Sequence, residues 1–241
     1  MEYEVFKEKF EKYLKEIQIV LKEKQLKQFY DYMNILIEWN KKINLTTIVE
    51  PEEIILKHFI DSIIICNEIK EGSSLIDVGT GAGFPGIPIK ILRDDINVVL
   101  LDSLNKRIKF LNEVINCLKL EKISTVHGRA EDVAKNKLYR EQFDIAISRA
   151  VANLSTLSEY LIPFVKIGGM DISMKSSEIA DELNKAKVAI NLFGGKIVES
   201  KEYILPNSDI KRSLILIQKE KSTHARYPRR PGLPAKEPII L

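Results

Sequence analysis

One junction in the sequence restricts the fold more than any other feature. An apolar run that ends at Val78 passes directly into the glycine-rich segment Gly79–Gly83. Glycine at alternate positions lets the backbone turn tightly, and it lets a ligand approach the main chain without a Cβ in the way. Pro85 follows, and proline suits the start of a helix. The junction therefore predicts a strand, a ligand-binding turn and a helix, as in nucleotide-binding α/β folds.

The chain after Gly72 alternates between short β-type runs and helical patterns. This alternation predicts right-handed crossovers and a mainly parallel, doubly wound sheet. The last two runs are joined by a connection too short for a helix, so they predict an antiparallel hairpin at a sheet edge. The expected fold is thus α/β and Rossmann-like, with a mainly parallel seven-stranded sheet and an antiparallel terminal hairpin. The runs lie at 74–78, 97–101, 123–126, 143–147, 169–174, 196–205 and 213–218, and the helical patterns between them at 85–92, 106–118, 152–165 and 177–193.

The two ends of the chain differ from this central part. Residues 1–71 have apolar positions at helical spacing, with Lys and Glu between them: 3–24, 26–43 and 52–69 are the expected helices. With 241 residues, the chain is long enough for one well-buried domain plus an appendage. We expect an N-terminal helical cap over 1–71, a ligand-binding domain over 72–219 and a basic, irregular tail over 220–241.

The charge of the chain is concentrated at its end. Residues 219–241 contain six Lys or Arg and two Glu, a net charge of +4, whereas the net charge of the whole chain is only +3. A basic end on a near-neutral body fits contact with a polyanion. The same composition also fits a tail that is merely solvated, and both interpretations stay open.

The location follows from what the sequence lacks. No apolar run approaches the roughly 20 residues of a membrane-spanning helix, and residues 1–4 have neither the basic flank nor the apolar core of a secretion signal. Cys66 and Cys117 lie far apart, as expected of two buried thiols in a reducing compartment. Three scattered histidines and two lone cysteines do not make a metal site. We expect a cytoplasmic protein without a membrane partner or a metal, and a monomer because nothing demands a dimer.

An acidic residue ends the second β-type run. Asp102 lies 23 positions after Gly79, close to the spacing of roughly 20 at which an acid binds ribose hydroxyls. A carboxylate can accept both hydrogen bonds that a vicinal diol offers. Asp102 could instead cap the next helix, although the neighbouring Ser103 could do that capping.

The glycine turn alone does not identify the nucleotide. Gly81–Gly86 also matches the dinucleotide fingerprint, so a nicotinamide-dependent oxidoreductase competes with an S-adenosylmethionine-dependent methyltransferase. The methyltransferase is favoured because the glycine series begins at Gly79, because Phe84-Pro85 occupies the expected helix start, and because a terminal hairpin fits that fold. In this interpretation Asp77 lies near the amino-acid end of the cofactor. An RNA-binding protein with a vestigial cofactor pocket is a third, non-enzymatic alternative.

Two further strand ends bear on the chemistry. Ala130 and Glu131 follow the third run, where methyltransferase folds border the adenine, although Glu131 also suits a first helical turn. The fourth run ends at Arg149, where such folds face their target. An Asn/Asp-Pro-Pro-aromatic motif and a cysteine are both missing there, which disfavours exocyclic amines and cytosine C5. Guanine N7 needs neither deprotonation nor covalent activation, so it suits a site with a fixed cation.

Several motifs together point to one family. They occupy 58–62, 77–86, 101–107, 128–131 and 148–151, followed by Gly168-Gly169, Lys175 and the tail motif 227–232. In this order they resemble the bacterial guanine-N7 methyltransferases of small-subunit ribosomal RNA, the RsmG or GidB family. The resemblance implies a class I methyltransferase fold, S-adenosylmethionine as methyl donor, and N7 of one guanine in small-subunit (16S) ribosomal RNA as the target.

The resemblance also implies roles for individual residues. Lys175 is followed by Ser176-Ser177 where the family pattern predicts a small residue, often Gly, so this loop departs from it slightly. His58 fits orientation of the cap better than contact with substrate. Arg149 is the expected catalytic residue, the expected RNA contacts are Arg129, Lys175, Arg226, Arg229 and Arg230, and the expected cofactor contacts are Asp77, Gly79, Gly81, Gly83, Phe84, Asp102, Ser103, Ala130, Glu131 and Arg149.

Overall fold

A seven-stranded sheet forms the centre of the protein. The computed structural model describes residues 1–149, 152–176 and 179–240, so Ala150-Val151 of the 148–151 motif and Ser177 lie outside the described residues. The strands are β1 Ser74–Val78, β2 Asn97–Asp102, β3 Ile123–His127, β4 Phe143–Arg149, β5 Val165–Ser176, β6 Gly195–Ile204 and β7 Lys211–Lys219.

The strand order is β3-β2-β1-β4-β5-β7-β6. The first five of these strands are parallel, and β7 runs antiparallel to both β5 and β6. The predicted α/β class, with a mainly parallel seven-stranded sheet and an antiparallel terminal hairpin, is confirmed. The chain reverses its direction of winding between β1 and β4. In an open α/β sheet, ligands bind beyond the carboxyl ends of the strands at such a point.

The helices differ from the sequence prediction mainly at their ends. The first helix stops at Glu16 rather than near residue 24, and Gln18 takes a left-handed conformation with φ of 56°. The third expected helix is divided by a π-helical turn at Ile55–Ile60, and a short helix interrupts the tail. The helices are α1 Tyr3–Glu16, α2 Glu23–Ile43, α3 Pro51–Ile54, α4 Asp61–Ile63, α5 Gly86–Leu92, α6 Asn105–Cys117, α7 Ala130–Val133, α8 Leu154–Leu161, α9 Ala180–Leu192 and α10 Leu233–Lys236.

The helical cap packs directly onto the glycine turn through aromatic side chains. The Tyr32 ring stacks between Phe59 and Phe84, with centroid distances of 5.5 and 5.4 Å, and its hydroxyl donates to the carbonyl of Ala82. One hydrophobic cluster extends from Phe6 in α1 to Leu216 in β7. The cap and the sheet therefore share a core. The three-part division at residues 71 and 219 stays a prediction.

Two smaller expectations concern the surface. Cys66 is buried, whereas Cys117 at the end of α6 is exposed, so the expectation of two buried thiols holds for only one of them. Within the described ranges, no helix combines the length and the apolar character that crossing a membrane requires.

Candidate active site

A cleft of about 500 Å³ opens at the carboxyl ends of β1 to β4. It lies where the strand order reverses, as expected for a ligand site in a doubly wound sheet. Its walls are the glycine turn, the ends of β2 and β4, the start of α7 and parts of the cap. The predicted site residues that line it are Gly79, Gly81, Phe84, Asp102, Ser103, Arg129, Ala130, Glu131 and Arg149.

The glycine turn presents bare main chain to the cleft. Gly79 and Gly81 have φ of 71° and 62°, a region that L side chains rarely adopt. The N–H groups of Gly79 and Thr80 donate to the carbonyl of Leu101 at 2.8 and 3.1 Å, which ties the turn to β2. A Cβ added at Gly81 would meet no atom nearer than the Gly79 oxygen, at 4.0 Å. The space beside Gly81 is therefore open to a ligand.

Asp102, at the end of β2, bonds the glycine turn and the loop before α6. Its carboxylate is only 2% exposed. It accepts hydrogen bonds from the N–H of Gly81 and of Leu104, both at 2.9 Å, and from Arg107 at 3.2 Å. An ionised carboxylate has about four lone-pair sites, so Asp102 keeps capacity for a further donor such as a hydroxyl. The bond from Leu104, which directly precedes α6, fits the capping interpretation, and the ribose contact stays a prediction.

Asp77 and Gly83 were expected to contact the cofactor, but they do not line the cleft. Asp77 is fully buried behind the turn, where one oxygen accepts from the Thr80 hydroxyl at 2.6 Å and from the Gly86 N–H at 2.8 Å. Its second oxygen has no hydrogen-bond partner among the described residues, and burial raises the pKa of this carboxyl to about 7. A Cβ on Gly83 would lie 2.6 Å from the Tyr32 hydroxyl. Asp77 therefore braces the turn from behind, Gly83 leaves room for the Tyr32 hydroxyl, and a cofactor contact of either residue stays a prediction.

Arg149 at the end of β4 is held by the cap. Its Nη1 donates to the carbonyl of Lys57 at 2.9 Å and to Asp61 at 3.1 Å, and its Nη2 lies 3.0 Å from Nδ1 of His58. Asp61 is 2% exposed and also pairs with Arg212 at 3.2 Å. The guanidinium is thus fixed in position and its charge is partly balanced by a buried carboxylate.

His58 lines the cleft between Arg149 and the glycine turn. Its ring stacks on Phe84, with a centroid distance of 4.2 Å and an interplanar angle of 11°. Its Nε2 lies 3.0 Å from the Thr46 hydroxyl. Burial, with a contribution from the Arg149 charge, lowers the pKa of His58 to about 3. His58 therefore orients the cap, as the sequence indicated, and also forms part of the wall.

Several other lining residues could not be recognised from the sequence. Leu45 and Thr46 come from the loop after α2, and Tyr160 comes from α8. The Asn40 side chain holds this loop by accepting the N–H of Leu45 and of Thr46 at 2.6 and 2.9 Å. Only the proximity of Thr46 to the 58–62 motif could have suggested a shared site.

The residues expected to contact RNA fall into two groups. Arg129, Arg226 and Arg230 are exposed, and Arg129 also lines the cleft. Lys175 lies 2.7 Å from Glu182, and Arg229 lies 2.7 Å from Glu159. The structure thus gives Lys175 and Arg229 acidic protein partners, and a direct RNA contact of either residue stays a prediction.

Comparison with known proteins decides the family. The sequence profile of the family described as "GidB: rRNA small subunit methyltransferase G" matches residues 25–208. The chain belongs to this family. It is 52% identical over 226 residues to ribosomal RNA small subunit methyltransferase G of Clostridium botulinum (strain Loch Maree), covering 93% of this chain and 95% of the relative. It is 54% identical over 220 residues to the Acetivibrio thermocellus protein of the same name, covering 91% and 90%.

Solved structures show the same fold at low identity. M. jannaschii TYW2 in complex with AdoMet aligns with a TM-score of 0.52 and 14% identity, covering 66% of this chain and 74% of that one. P. horikoshii TYW2 in complex with MeSAdo aligns with a TM-score of 0.53 and 12% identity, covering 68% and 63%. The predicted Rossmann-like methyltransferase fold is confirmed. Family membership confirms the predictions of a methyltransferase and of S-adenosylmethionine as its cofactor.

Proposed function

We propose that this chain transfers the methyl group of S-adenosylmethionine to N7 of a guanine in small-subunit ribosomal RNA. The class of substrate comes from its relatives, which are named for the small-subunit ribosomal RNA. The choice of N7 rests on one observation: the histidine and the two carboxylates that the described residues bring to the cleft, His58, Asp102 and Glu131, already bond groups of the protein.

The cleft fits the cofactor in three respects. The space beside Gly81 is open, and Asp102 has capacity for a ribose hydroxyl. The N–H of Ala130 opens α7 and has no acceptor within that helix. In this proposal Asp102 holds the ribose, Ala130 and Glu131 bind the adenine, and the remaining contacts come from Gly79, Gly81, Phe84, Ser103 and Arg149. When bound, S-adenosylmethionine supplies an electrophilic methyl group.

Because His58 and the two carboxylates already bond groups of the protein, the site favours a target that has no proton to remove. His58 has a pKa of about 3, and its two ring nitrogens face Arg149 and Thr46. The carboxylates of Asp102 and Glu131 accept main-chain N–H groups. An amine target requires a base that takes its proton. Guanine N7 offers a lone pair directly, so positioning supplies most of the catalysis.

Arg149 is the proposed catalytic residue because it can orient the guanine. A guanidinium has five N–H donors, and the protein uses three of them, for Lys57, His58 and Asp61. The O6 atom of guanine is an acceptor beside N7, so Arg149 can bind O6 and leave N7 free. Methylation at N7 makes the base cationic. The buried charge of Asp61 offsets the charge of Arg149 and so limits repulsion of the product.

The exposed arginines fit phosphate contacts. Arg129 lies at the cleft, and Arg226 and Arg230 lie on the tail. Contacts between Arg and phosphate position a nucleic acid without reading its sequence. Lys175 and Arg229 are paired with acids, so the proposed RNA surface rests on the first three residues. The expectations of a monomer and of a cytoplasmic location are part of this proposal.

Calorimetry with three ligands tests the cofactor part of the proposal. S-adenosylmethionine and S-adenosylhomocysteine should each bind at one site, and NAD should give no measurable heat. An enzyme of the nicotinamide class would reverse this pattern, so tight binding of NAD without binding of S-adenosylmethionine would contradict the proposal.

A further inference from the structure

The C-terminal tail is anchored by a buried ion pair. The Arg229 guanidinium contacts both oxygens of Glu159, with Nε at 3.0 and 3.1 Å and Nη2 at 2.7 Å. The main-chain N–H of Arg229 also donates to Glu159, at 2.7 Å. Glu159 is 1% exposed. A guanidinium that binds a carboxylate through two donors fixes geometry as well as charge, so Arg229 holds the tail on α8.

Residues 223–227, before this anchor, are held on the body of the protein by hydrogen bonds to their main chain. Arg140 donates to the carbonyl of Thr223 at 2.6 Å and to that of Tyr227 at 2.9 Å. The N–H of Thr223 donates to Glu141 at 2.8 Å. The Tyr227 side chain is buried and meets Phe193 edge-on, at a centroid distance of 5.0 Å. The path of the tail is therefore set before it reaches Arg229.

The segment after the anchor ends at the cofactor cleft. The N–H of Gly232 donates to Oε1 of Glu131 at 2.8 Å, and the Thr156 hydroxyl donates to the carbonyl of Pro234 at 3.0 Å. Gly232 has φ of 82°, which favours glycine. In the part of the chain that the structure describes, Gly232 is the only donor to the Glu131 carboxylate. Glu131 is 4% exposed and lines the cleft.

We infer that residues 223–236 form a strap that positions Glu131 for cofactor binding, with Arg229 and Gly232 as its positioning residues. The inference rests on the proposed function, because it needs Glu131 in the cofactor site. The helix that carries Glu131, α7, has only four residues, so its carboxylate depends on outside contacts for a fixed orientation. Gly232 supplies that contact and occupies one oxygen, which leaves the second oxygen for the ligand.

The strap makes the tail and the cofactor mutually dependent. Coupling between two equilibria is reciprocal. If docking of the strap raises the affinity for the cofactor by some factor, bound cofactor raises the equilibrium constant for docking of the strap by the same factor. A docked strap should therefore tighten cofactor binding, and bound cofactor should protect the strap from local opening. A tail that only adds stability to the fold would give neither effect.

Two glycine substitutions isolate this coupling. Gly232→Ala and Gly168→Ala place alanine at φ of 82° and 86°, and in both positions an added Cβ meets nothing within 4 Å. The two variants therefore share the same backbone strain and differ in location. Gly168 lies beside Asp144 and Gly72, away from the cofactor cleft, and serves as the matched control.

S-adenosylhomocysteine is the probe, measured by calorimetry and by hydrogen exchange of residues 226–236. We expect Gly232→Ala to weaken binding about tenfold, the scale of a hydrogen bond to a charged group, and Gly168→Ala to leave it within about twofold. In the wild type and in Gly168→Ala, the probe should slow exchange in the tail. This protection should be reduced in Gly232→Ala.

Arginine variants separate the strap from RNA binding. Arg229→Gln leaves Glu159 buried without its partner, so the double variant Arg229→Gln with Glu159→Gln is measured beside it, with folding checked by thermal unfolding. Both should weaken binding of the probe, whereas Arg230→Gln should not. Equal affinities of Gly232→Ala and Gly168→Ala, in a wild type that does bind the probe, would overturn the strap alone. A wild type that does not bind the probe would overturn the proposed function and the strap together.

Discussion

The Arg149 guanidinium donates a hydrogen bond to Nδ1 of His58 at 3.0 Å, and this contact joins the end of β4 to the cap. Because Nδ1 accepts, the ring proton lies on Nε2, which faces the Thr46 hydroxyl at 3.0 Å. Burial and the nearby arginine keep the pKa of His58 at about 3. The cap thus holds the proposed catalytic arginine through a histidine that is neutral at physiological pH.

Removing this histidine should impair transfer more than cofactor binding. We expect His58→Ala to slow single-turnover methyl transfer about tenfold to a hundredfold, because a hydrogen bond to a charged group contributes about 1.5–3 kcal/mol. His58→Asn should recover part of the rate, since its amide oxygen can accept from Arg149. Affinity for S-adenosylhomocysteine should change little. Equal rates for His58→Ala and the wild type would show that the contact has no positioning function.

The low pKa of His58 predicts how the rate of methyl transfer depends on pH. With a pKa of about 3, His58 stays neutral from pH 5 to 8. The transfer rate should therefore show no inflection near pH 6.5, the ordinary pKa of histidine. A pH–rate profile of the wild type and of His58→Asn checks this. An inflection near 6.5 in the wild type that disappears in the variant would contradict the neutral histidine.

Asp102 should contribute directly to cofactor affinity. Asp102→Ala removes the acceptor of the Gly81 and Leu104 N–H groups as well as the proposed ribose contact. We expect weaker binding of S-adenosylhomocysteine by about 1–3 kcal/mol in calorimetry. Glu113→Ala, at an exposed acid on α6 that does not line the cleft, is the control and should change affinity by less than about 0.5 kcal/mol. An unchanged affinity of Asp102→Ala would remove Asp102 from the site.

A buried carboxyl remote from the cleft should set part of the dependence of stability on pH. Asp171 in β5 is 1% exposed, one of its oxygens has no partner in the part of the chain that the structure describes, and burial raises its pKa to about 8. The unfolded chain releases this proton near pH 4, so between about pH 4 and 8 the folded state binds more protons. The free energy of unfolding must therefore fall as pH rises through this window, by up to about 1.4 kcal/mol per unit.

Denaturant unfolding of Asp171→Asn at pH 5 to 9 tests that sign. The variant should lose much of the decline between pH 7 and 8 and should be more stable than the wild type at pH 9. Asp77 has the same sign but a pKa of about 7, so its contribution should remain in the variant as a decline confined to about pH 4 to 7. Identical pH profiles for Asp171→Asn and the wild type would contradict a buried, protonated Asp171.

The exposed arginines of the tail should act through phosphate. Neutralising Arg226 and Arg230 together should lower RNA affinity and reduce the slope of log K against log salt by about one per lost contact. Affinity for S-adenosylhomocysteine should not change, because neither residue lines the cleft. RNA binding with an unchanged salt slope would show that this part of the tail is only solvated.

The sequence predicted those parts of the structure that depend on local patterns. Alternating apolar runs and glycines at positions of positive φ are local signals, so the strands, the hairpin and the turn at Gly79–Gly83 were all foreseen. The end of the first helix near Gln18 was not, because Ile17, Val20 and Leu21 continue the helical spacing beyond the point where the chain turns.

Contacts between distant segments could not be read in the same way. His58 and Arg149 are 91 positions apart, and Glu159 and Arg229 are 70 positions apart. A motif marks such residues as important but does not say which group each one meets. The tail motif predicts an RNA contact for Arg229, but it does not show that the buried carboxylate of Glu159 holds the guanidinium. Likewise, the local pattern around Gly83 does not show that a Cβ there would meet Tyr32 of the cap.

The most direct test of the account is to identify the methylated nucleoside. The purified protein is incubated with radiolabelled S-adenosylmethionine and small-subunit ribosomal RNA from cells that lack the enzyme, both as free RNA and as the ribosomal particle. After digestion, the label should co-elute with 7-methylguanosine and come from one position. Label in any other nucleoside, or no incorporation into either form of the RNA, would contradict the account.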